Sequence, residues 1–164
     1  MRRPWKITTA AALGVLVLLS VASLAFADLA EERVAYKAQV EPICKRNREA
    51  NERVLKGVKK NITAGKLKLA ASQFAKAAVA LKKARTQLAA VPKPVADEAR
   101  LTKWLGYIKT EIEFFQRISK KLKAGDKRGA QRIAIRLPST AEKANNTVLS
   151  YEFKYCRVNP SQLQ

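Results

Sequence analysis

Apolar residues recur at steps of three and four along most of this chain, which is the spacing of one face of an α-helix. The pattern is most regular over residues 101–122, where seven large apolar residues share a face. They are Leu101, Leu105, Ile108, Ile112, Phe115, Ile118 and Leu122. Glycine and proline number only six each among 164 residues, so long helices can run between breaks. The pattern predicts an all-α protein.

Breaks in this spacing divide the chain into four helices joined by short turns. The helices are expected over about residues 42–64, 66–90, 95–125 and 126–151. Gly65 and Gly125 are natural stops, because glycine readily takes the left-handed conformation that ends a helix. Pro138 interrupts the last helix, where Ser139 and Glu142 match a capping box. Short loops make neighbouring helices antiparallel, so we expect an up-down-up-down four-helix bundle of two helical hairpins.

Two smaller features refine this plan. Ala64-Gly65 recurs as Ala124-Gly125 sixty residues later, so each pair is expected to mark the joint of a hairpin. A short helix over about residues 28–40 is expected to break or kink at Pro42, or to give way to a new helix there.

The first 27 residues are predicted to be an export signal helix. Three cations at Arg2, Arg3 and Lys6 precede an apolar stretch, which closes on the small-x-small sequence Ala25-Phe26-Ala27. The alternative is an uncleaved membrane anchor, because the stretch is about long enough to span hydrocarbon. The expected organisation is a signal peptide over 1–27, one bundle domain over 28–156 and a loose tail over 157–164, in a secreted, periplasmic or cell-envelope protein.

The only two cysteines, Cys44 and Cys156, are predicted to form a disulfide. Neither has metal-binding spacing, and outside the cytosol an even number of cysteines favours a bond. The four-helix topology places the start of the first helix and the end of the fourth at the same end of the bundle, where these two residues lie. A loop of this length corresponds to about 4–5 kcal/mol of stabilisation in the chain-entropy model.

The net charge is +20, from 33 Lys and Arg against 13 Asp and Glu. The signal holds three of these positive charges, so +17 remains with the bundle domain. The densest basic cluster, hereafter the basic patch, comprises Arg117, Lys120, Lys121, Lys123, Lys127, Arg128, Arg132 and Arg136. Such a surface attracts polyanions. Few aromatics lie among the cations, which disfavours nucleic-acid recognition by base stacking. We expect an anionic envelope polymer or lipid surface as the partner.

Catalytic and cofactor-binding patterns are missing from the sequence. The chain has no histidine and its single methionine is Met1, so the usual general base and the usual haem ligands are lacking. A carboxylate-bridged metal pair of the bundle type requires Glu-x-x-His sequences. We therefore predict a non-enzymatic protein without cofactor, metal or haem.

Polar residues at helix positions give two further expectations. Glu111 and Glu113, two apart on a helix, diverge and are predicted to be surface charges. Asn47 and Asn51 fall on a predicted buried face, where they form either a hydrogen-bonded layer that fixes helix register or contacts to a ligand in the core.

Ile43-Cys44 near the mature start and the aromatic run into Cys156 resemble small exported bacterial α-helical proteins of no assigned function. That resemblance implies a helical fold and no activity. Separately, Ala70, Phe74 and Ala77 look like half of a tetratricopeptide repeat, without its 34-residue period. Three functions remain open: binding of anionic envelope material, carriage or sensing of a small apolar ligand in the bundle core, and a helical scaffold for protein partners.

Overall fold

The computed structural model describes the backbone of residues 13–158 and the side chains of residues 28–158. The helices are α1 (Leu13–Leu55), α2 (Val58–Thr63), α3 (Leu67–Ala90), α4 (Glu98–Lys123), α5 (Lys127–Ala134) and α6 (Leu137–Thr147), with short 3-10 turns at Val95–Asp97 and Leu149–Tyr151. The protein is an all-α four-helix bundle built from α1, α3, α4 and the α5–α6 pair, as predicted. In it, α3 packs against α1 and α4, and α4 packs against α5 and α6.

The predicted break at Pro42 is wrong, because α1 runs through it as one helix. Proline removes one backbone hydrogen bond and crowds the carbonyl four residues earlier, here that of Ala38. Both residues are exposed, so water can satisfy that carbonyl while α1 stays packed against the bundle. The helix instead ends at Leu55, just before Gly57 at φ 75°, and the short α2 follows.

The two Ala-Gly joints have the same backbone geometry. Gly65 and Gly125 have φ of 72° and 78°. In each joint the glycine N–H donates three residues back, and the next N–H donates five residues back, to Asn61 and Lys121 respectively. This is the hydrogen-bond pattern of a glycine-terminated helix. The prediction that both mark hairpin joints is confirmed.

The last helix divides near Pro138 as predicted, and Asp126, at its predicted start, is its cap. Asp126 caps α5 by accepting a hydrogen bond from the Gly129 N–H at 2.7 Å. The capping box expected at Ser139 does not form, because α6 already begins at Leu137 with Pro138 in its first turn. A first-turn proline is favourable, since its missing N–H would have no partner there.

The predicted disulfide is present. Cys44 and Cys156 are joined with 5.0 Å between their Cα atoms, and 112 residues separate them in sequence. The bond ties the middle of α1 to the segment after the Leu149–Tyr151 turn. Such a bond is compatible with an oxidising compartment.

A buried carboxylate ties α1 to the start of α4. Asp97, 1% exposed, accepts hydrogen bonds from Arg33 Nε at 2.6 Å, Arg33 Nη2 at 3.0 Å and the Tyr151 hydroxyl at 2.8 Å. Arg100 Nη1 lies 3.6 Å from Asp97 Oδ1, the oxygen that also accepts from Arg33 Nη2. The hydrogen bonds from Arg33, with that from Tyr151, hold the pKa of Asp97 below its ordinary value despite burial.

The aromatic residues before Cys156 pack on one end of the bundle. Tyr151 stacks on Phe153 with 5.1 Å between ring centroids, and Phe153 lies 5.6 Å from Trp104. Tyr36 of α1 meets Tyr151 edge-on at 5.6 Å. These rings form one aromatic cluster that joins α1, α4 and the segment before Cys156.

The question of signal peptide or anchor concerns residues 1–27, whose side chains lie outside those described. From Asp28 to Val158, no helix combines the length and the apolar character needed to cross a membrane. Arg157 and Val158, expected to begin a loose tail, are held by hydrogen bonds to Arg48 and Asn145.

Candidate functional site

A cavity of about 370 Å³ lies inside the bundle between α1, α3, α4 and the C-terminal segment. It opens to solvent past exposed residues of α1 and the chain end. Its walls are mostly apolar, formed by Leu55, Leu81, Ala84, Leu88, Trp104, Ile108, Phe115, Ala144 and Val158, with the Cys44–Cys156 disulfide beside them. This volume and lining fall within the range of roughly 300–1,000 Å³ typical of small-molecule sites.

The cavity exists because the bundle is incompletely closed between α1 and α6. Direct packing between those two helices is sparse, and the only residue of α6 that lines the cavity is Ala144. Residues 153–158, here called the C-terminal strap, lie across the open seam. The strap supplies one wall of the cavity through Tyr155, Cys156, Arg157 and Val158.

Three residues of α1, one helical turn apart, clamp the C-terminal strap. The Glu41 carboxylate accepts hydrogen bonds from the N–H groups of Lys154 and Tyr155, at 2.5 and 2.8 Å. Cys44 forms the disulfide, and the Arg48 guanidinium donates to the backbone carbonyls of residues 154, 155 and 157. Positions 41, 44 and 48 follow the helical period, so one stripe of α1 holds the strap.

Asn47 and Asn51 lie on the neighbouring stripe of α1 and line the cavity. Asn51 Nδ2 donates to Asn47 Oδ1 at 3.4 Å. The Asn51 Oδ1 atom is buried and has no hydrogen-bond partner among the described residues. A register-fixing polar layer would satisfy its own buried groups. The pair thus forms the hydrogen bond expected of a polar layer and leaves one acceptor without a described partner at the cavity.

Glu111 also lines the cavity, and the prediction that it is a surface charge is wrong. Its position on α4 continues the apolar stripe, since Ile108 precedes it by three residues and Phe115 follows by four. Burial raises the pKa of Glu111 to about 7, and no described residue forms a hydrogen bond or ion pair with its carboxyl group. The sequence does show a carboxylate at the spacing of the apolar face of α4. The comparison with the nearby Glu113 does not use this spacing, and therefore predicts a surface position for both residues.

Glu113 itself behaves as predicted. It is exposed and lies 3.9 Å from Lys109 on the outer surface of α4. The two glutamates thus sit on one helix two residues apart, one facing the cavity and one facing solvent. They form a natural matched pair for experiment.

The mouth of the cavity carries charges of both signs. Glu52 and Lys56 of α1 and Arg157 of the C-terminal strap are exposed there, beside the half-buried Arg48. The Arg48 guanidinium is already occupied by backbone carbonyls. The remaining groups can meet the polar end of a ligand that projects from the cavity.

All eight residues of the basic patch are exposed. Four lie in the last third of α4, three on α5 and one immediately before α6, and α5 packs against α4. Lys121 pairs with Asp126 at 2.9 Å, and the Arg136 guanidinium lies 5.2 Å from the Phe114 ring centroid. Within the described residues, Lys121 is the only member of the patch in an ion pair.

The part of the chain with described side chains contains no group of three or more Cys, Asp or Glu residues placed to hold a metal ion. Comparison with protein-family models, with curated proteins and with solved structures finds no match for this chain.

Proposed function

We propose that this protein is a carrier or sensor that holds a small, largely apolar molecule in the bundle cavity. The observation that carries the proposal is a solvent-accessible cavity of about 370 Å³ with apolar walls and unpaired polar groups. An open cavity of this size with mostly apolar walls and a few polar groups has the composition of a small-molecule site.

The arrangement of the walls supports reversible binding. Apolar side chains provide the free energy of burial, and a few fixed polar groups give orientation, which is the usual composition of small-molecule sites. The C-terminal strap closes one side and is fixed to α1 by the disulfide and by hydrogen bonds to Glu41 and Arg48, so this wall of the cavity is held in place.

The proposal also includes the cellular location of the protein. An apparent signal segment, a disulfide and a high positive charge are together typical of exported proteins. We place the carrier outside the cytosol, in the cell envelope or secreted, where it would take up a molecule without chemically changing it.

Filling the cavity tests this function. The full chain is titrated with N-phenyl-1-naphthylamine, an uncharged dye whose fluorescence rises in apolar surroundings, in wild type and in Ala84→Phe. Ala84 is buried on α3 and lines the cavity, whereas Ala75 on the same helix is exposed and does not. Ala75→Phe is therefore the matched control.

We expect one dye molecule per chain in wild type and Ala75→Phe, with at least tenfold weaker binding in Ala84→Phe. Circular dichroism checks that each variant is folded, and Ala84→Leu gives a smaller filling change should the phenylalanine unfold the chain. No saturable binding to wild type, or equal binding to the folded cavity variant, would contradict the proposal.

A second candidate function rests on the basic patch. Seven of its eight cations have no ion-pair partner among the described residues, so they are available to an anionic surface. Each Lys or Arg near an anionic membrane contributes about 1 kcal/mol, and salt screens this attraction. A carrier whose basic patch rests on anionic lipid or envelope polymer would be held where its ligand is delivered.

Vesicle sedimentation tests this candidate. Binding to vesicles of phosphatidylglycerol and phosphatidylcholine is measured from low to high salt for the triple variant Lys120→Gln, Lys127→Gln, Arg132→Gln. The control triple variant changes three exposed cations outside the patch to glutamine, namely Lys82, Lys83 and Lys103. We expect the patch variant to lose about 3 kcal/mol of binding free energy at low salt. Binding that is independent of salt, or equally weak in both triple variants, would contradict a specific role of the patch.

A further inference from the structure

The unpaired groups of the cavity share one chemical property. Asn51 Oδ1 and the ionised carboxyl group of Glu111 are both hydrogen-bond acceptors, and neither receives a hydrogen bond from a described residue. Buried polar groups are almost always paired, and leaving one unpaired costs free energy. A molecule that completes this site must therefore bring donors.

The charges of the chain indicate which kind of donor the ligand carries. The chain has 33 Lys and Arg residues against 13 acids. Asp97, Asp126 and Glu113 each have a cationic partner. Two acids line the cavity, Glu52 and Glu111, and neither has an ion-pair partner among the described residues. Glu52 is exposed and Glu111 is half-buried, so Glu111 is the carboxylate that can pair with a positive group inside the cavity.

The walls around Glu111 suit a cation attached to an apolar body. Trp104 lies two turns before it on α4 and Phe115 one turn after, and both line the cavity. Aromatic rings attract cations as well as providing apolar surface. The α3 wall of Leu81, Ala84 and Leu88 carries no charge that would compete.

The other charged or titratable groups lie at the mouth. From α1 these are Arg48, Glu52 and Lys56, and from the C-terminal strap they are Tyr155 and Arg157, while α3 and α6 contribute none. The exposed cations among them are solvated, so water and salt weaken their repulsion of a positive ligand. Within an apolar cavity the attraction to an unpaired carboxylate is screened much less.

We propose, building on the proposed carrier function, that the ligand is a small organic amine: its ammonium group pairs with Glu111 and donates to Asn51, and its aromatic or aliphatic body packs against Trp104 and Phe115.

The affinity for such a ligand depends on pH in a defined direction. The raised pKa of about 7 leaves Glu111 largely neutral at pH 6 and largely ionised at pH 8. An ammonium group requires the ionised form, so affinity should rise about tenfold between these values. A neutral ligand that accepts a hydrogen bond would require the protonated acid and would show the opposite trend.

Calorimetry separates these cases with two probes of the same size. The full chain is titrated with phenethylamine and with 2-phenylethanol at pH 6 and pH 8, in wild type, Glu111→Gln and the control Glu113→Gln. We expect wild type and Glu113→Gln to bind phenethylamine about tenfold more tightly at pH 8 than at pH 6. Glu111→Gln should bind it at least tenfold more weakly at pH 8 and lose the pH dependence.

If 2-phenylethanol bound wild type at pH 8 as tightly as phenethylamine or more tightly, the amine assignment would be overturned and the carrier function would stand. The same conclusion would follow if phenethylamine failed to bind while the uncharged naphthylamine dye still bound. Failure of the dye and of both probes would remove the carrier function and the amine assignment together.

Discussion

Asp97 and Glu111 are two carboxyl groups of one small bundle, the first fully buried and the second half-buried in the cavity wall, and their surroundings are opposite. Asp97 receives two hydrogen bonds from Arg33 and one from Tyr151, and its pKa lies below the ordinary value. Glu111 receives none from the described residues, and burial raises its pKa to about 7. Hydrogen bonding outweighs burial at Asp97, and burial acts alone at Glu111.

This difference separates a structural carboxylate from one available to a ligand. The partners of Asp97 come from α1 and from the Leu149–Tyr151 turn, so the group joins three parts of the chain. Glu111 joins nothing and faces a cavity. A fold that leaves a half-buried carboxylate among apolar side chains without a partner gives up stability there, and such perturbed groups concentrate at functional sites.

The largest expected effect comes from removing the structural carboxylate. Asp97→Ala leaves the part-buried Arg33 guanidinium and the Tyr151 hydroxyl without their acceptor, and we expect a loss of about 3 kcal/mol in the free energy of unfolding at pH 7. Urea denaturation measures it. The neighbouring Glu98→Ala, at an exposed position, should change the value by less than about 0.5 kcal/mol. Equal values for the two variants would remove the structural half of the comparison.

The second expected effect has the opposite sign. The folded-state pKa of Glu111 is about 7 and its ordinary value is 4.5. The folded state therefore holds the proton more tightly, and the contribution of Glu111 to stability falls as pH rises from about 4.5 to 7. The full difference corresponds to about 3 kcal/mol, at about 1.36 kcal/mol per pKa unit.

Glu111→Gln should accordingly stabilise the fold by up to about 3 kcal/mol at pH 8 and change it little at pH 4. Denaturation curves at both pH values measure this. Glu113→Gln, which alters an exposed charge on the same helix, should shift stability by less than about 0.5 kcal/mol at either pH. A destabilised Glu111→Gln at pH 8 would mean that the carboxylate has a partner after all.

A smaller effect distinguishes the C-terminal strap from the neighbouring Asp97 cluster. Glu41→Ala removes the acceptor for two backbone N–H groups of the C-terminal strap and should cost about 1–2 kcal/mol. Hydrogen exchange should accelerate at the amides of Lys154 and Tyr155 and stay unchanged around Asp97. Glu52→Ala, an exposed acid at the mouth with no hydrogen bond to the strap, is the control. Faster exchange in both places would show that the strap and the Asp97 cluster open as one unit.

The smallest expected change in the free energy of unfolding comes from Arg100, the more exposed of the two arginines beside Asp97. Arg100 lies 3.6 Å from the carboxylate and its side chain is 44% exposed, whereas Arg33 donates at 2.6 Å and is 29% exposed. Arg100→Gln should cost less than about 1 kcal/mol, as exposed ion pairs usually do. Arg33→Gln should cost clearly more in the same denaturation experiment. Equal losses would show that net charge near Asp97 matters more than the hydrogen bonds.

The bundle and its disulfide were predictable because helix periodicity, turn residues and connection lengths are local properties of the sequence. Gly65 and Gly125 stop helices in the structure as in the prediction. Pro42 does not stop one, because whether a proline ends a helix depends on packing elsewhere. The same limit explains why the capping box expected at Ser139 does not form, since α6 begins at Leu137 without a side-chain cap.

The cavity was not predictable, because it arises from helices that fail to meet. Periodicity assigns Glu111 to the same face as Ile108 and Phe115, but says nothing about whether that face is filled. The space is open because α1 packs sparsely on α6, and the C-terminal strap covers it as one wall. The Arg33–Asp97 pairing likewise joins residues 64 apart that no local pattern connects.

One titration tests the contrast between the two carboxyl groups directly. Carboxyl carbon resonances are followed by NMR from pH 3 to pH 9 in the full chain, with and without phenethylamine, and Glu111→Gln and Asp97→Asn provide the assignments. We predict a Glu111 midpoint near 7 that moves to lower pH when the amine is present, and an Asp97 midpoint below its ordinary value in both samples. A Glu111 midpoint near 4.5 that the amine does not move would contradict this account.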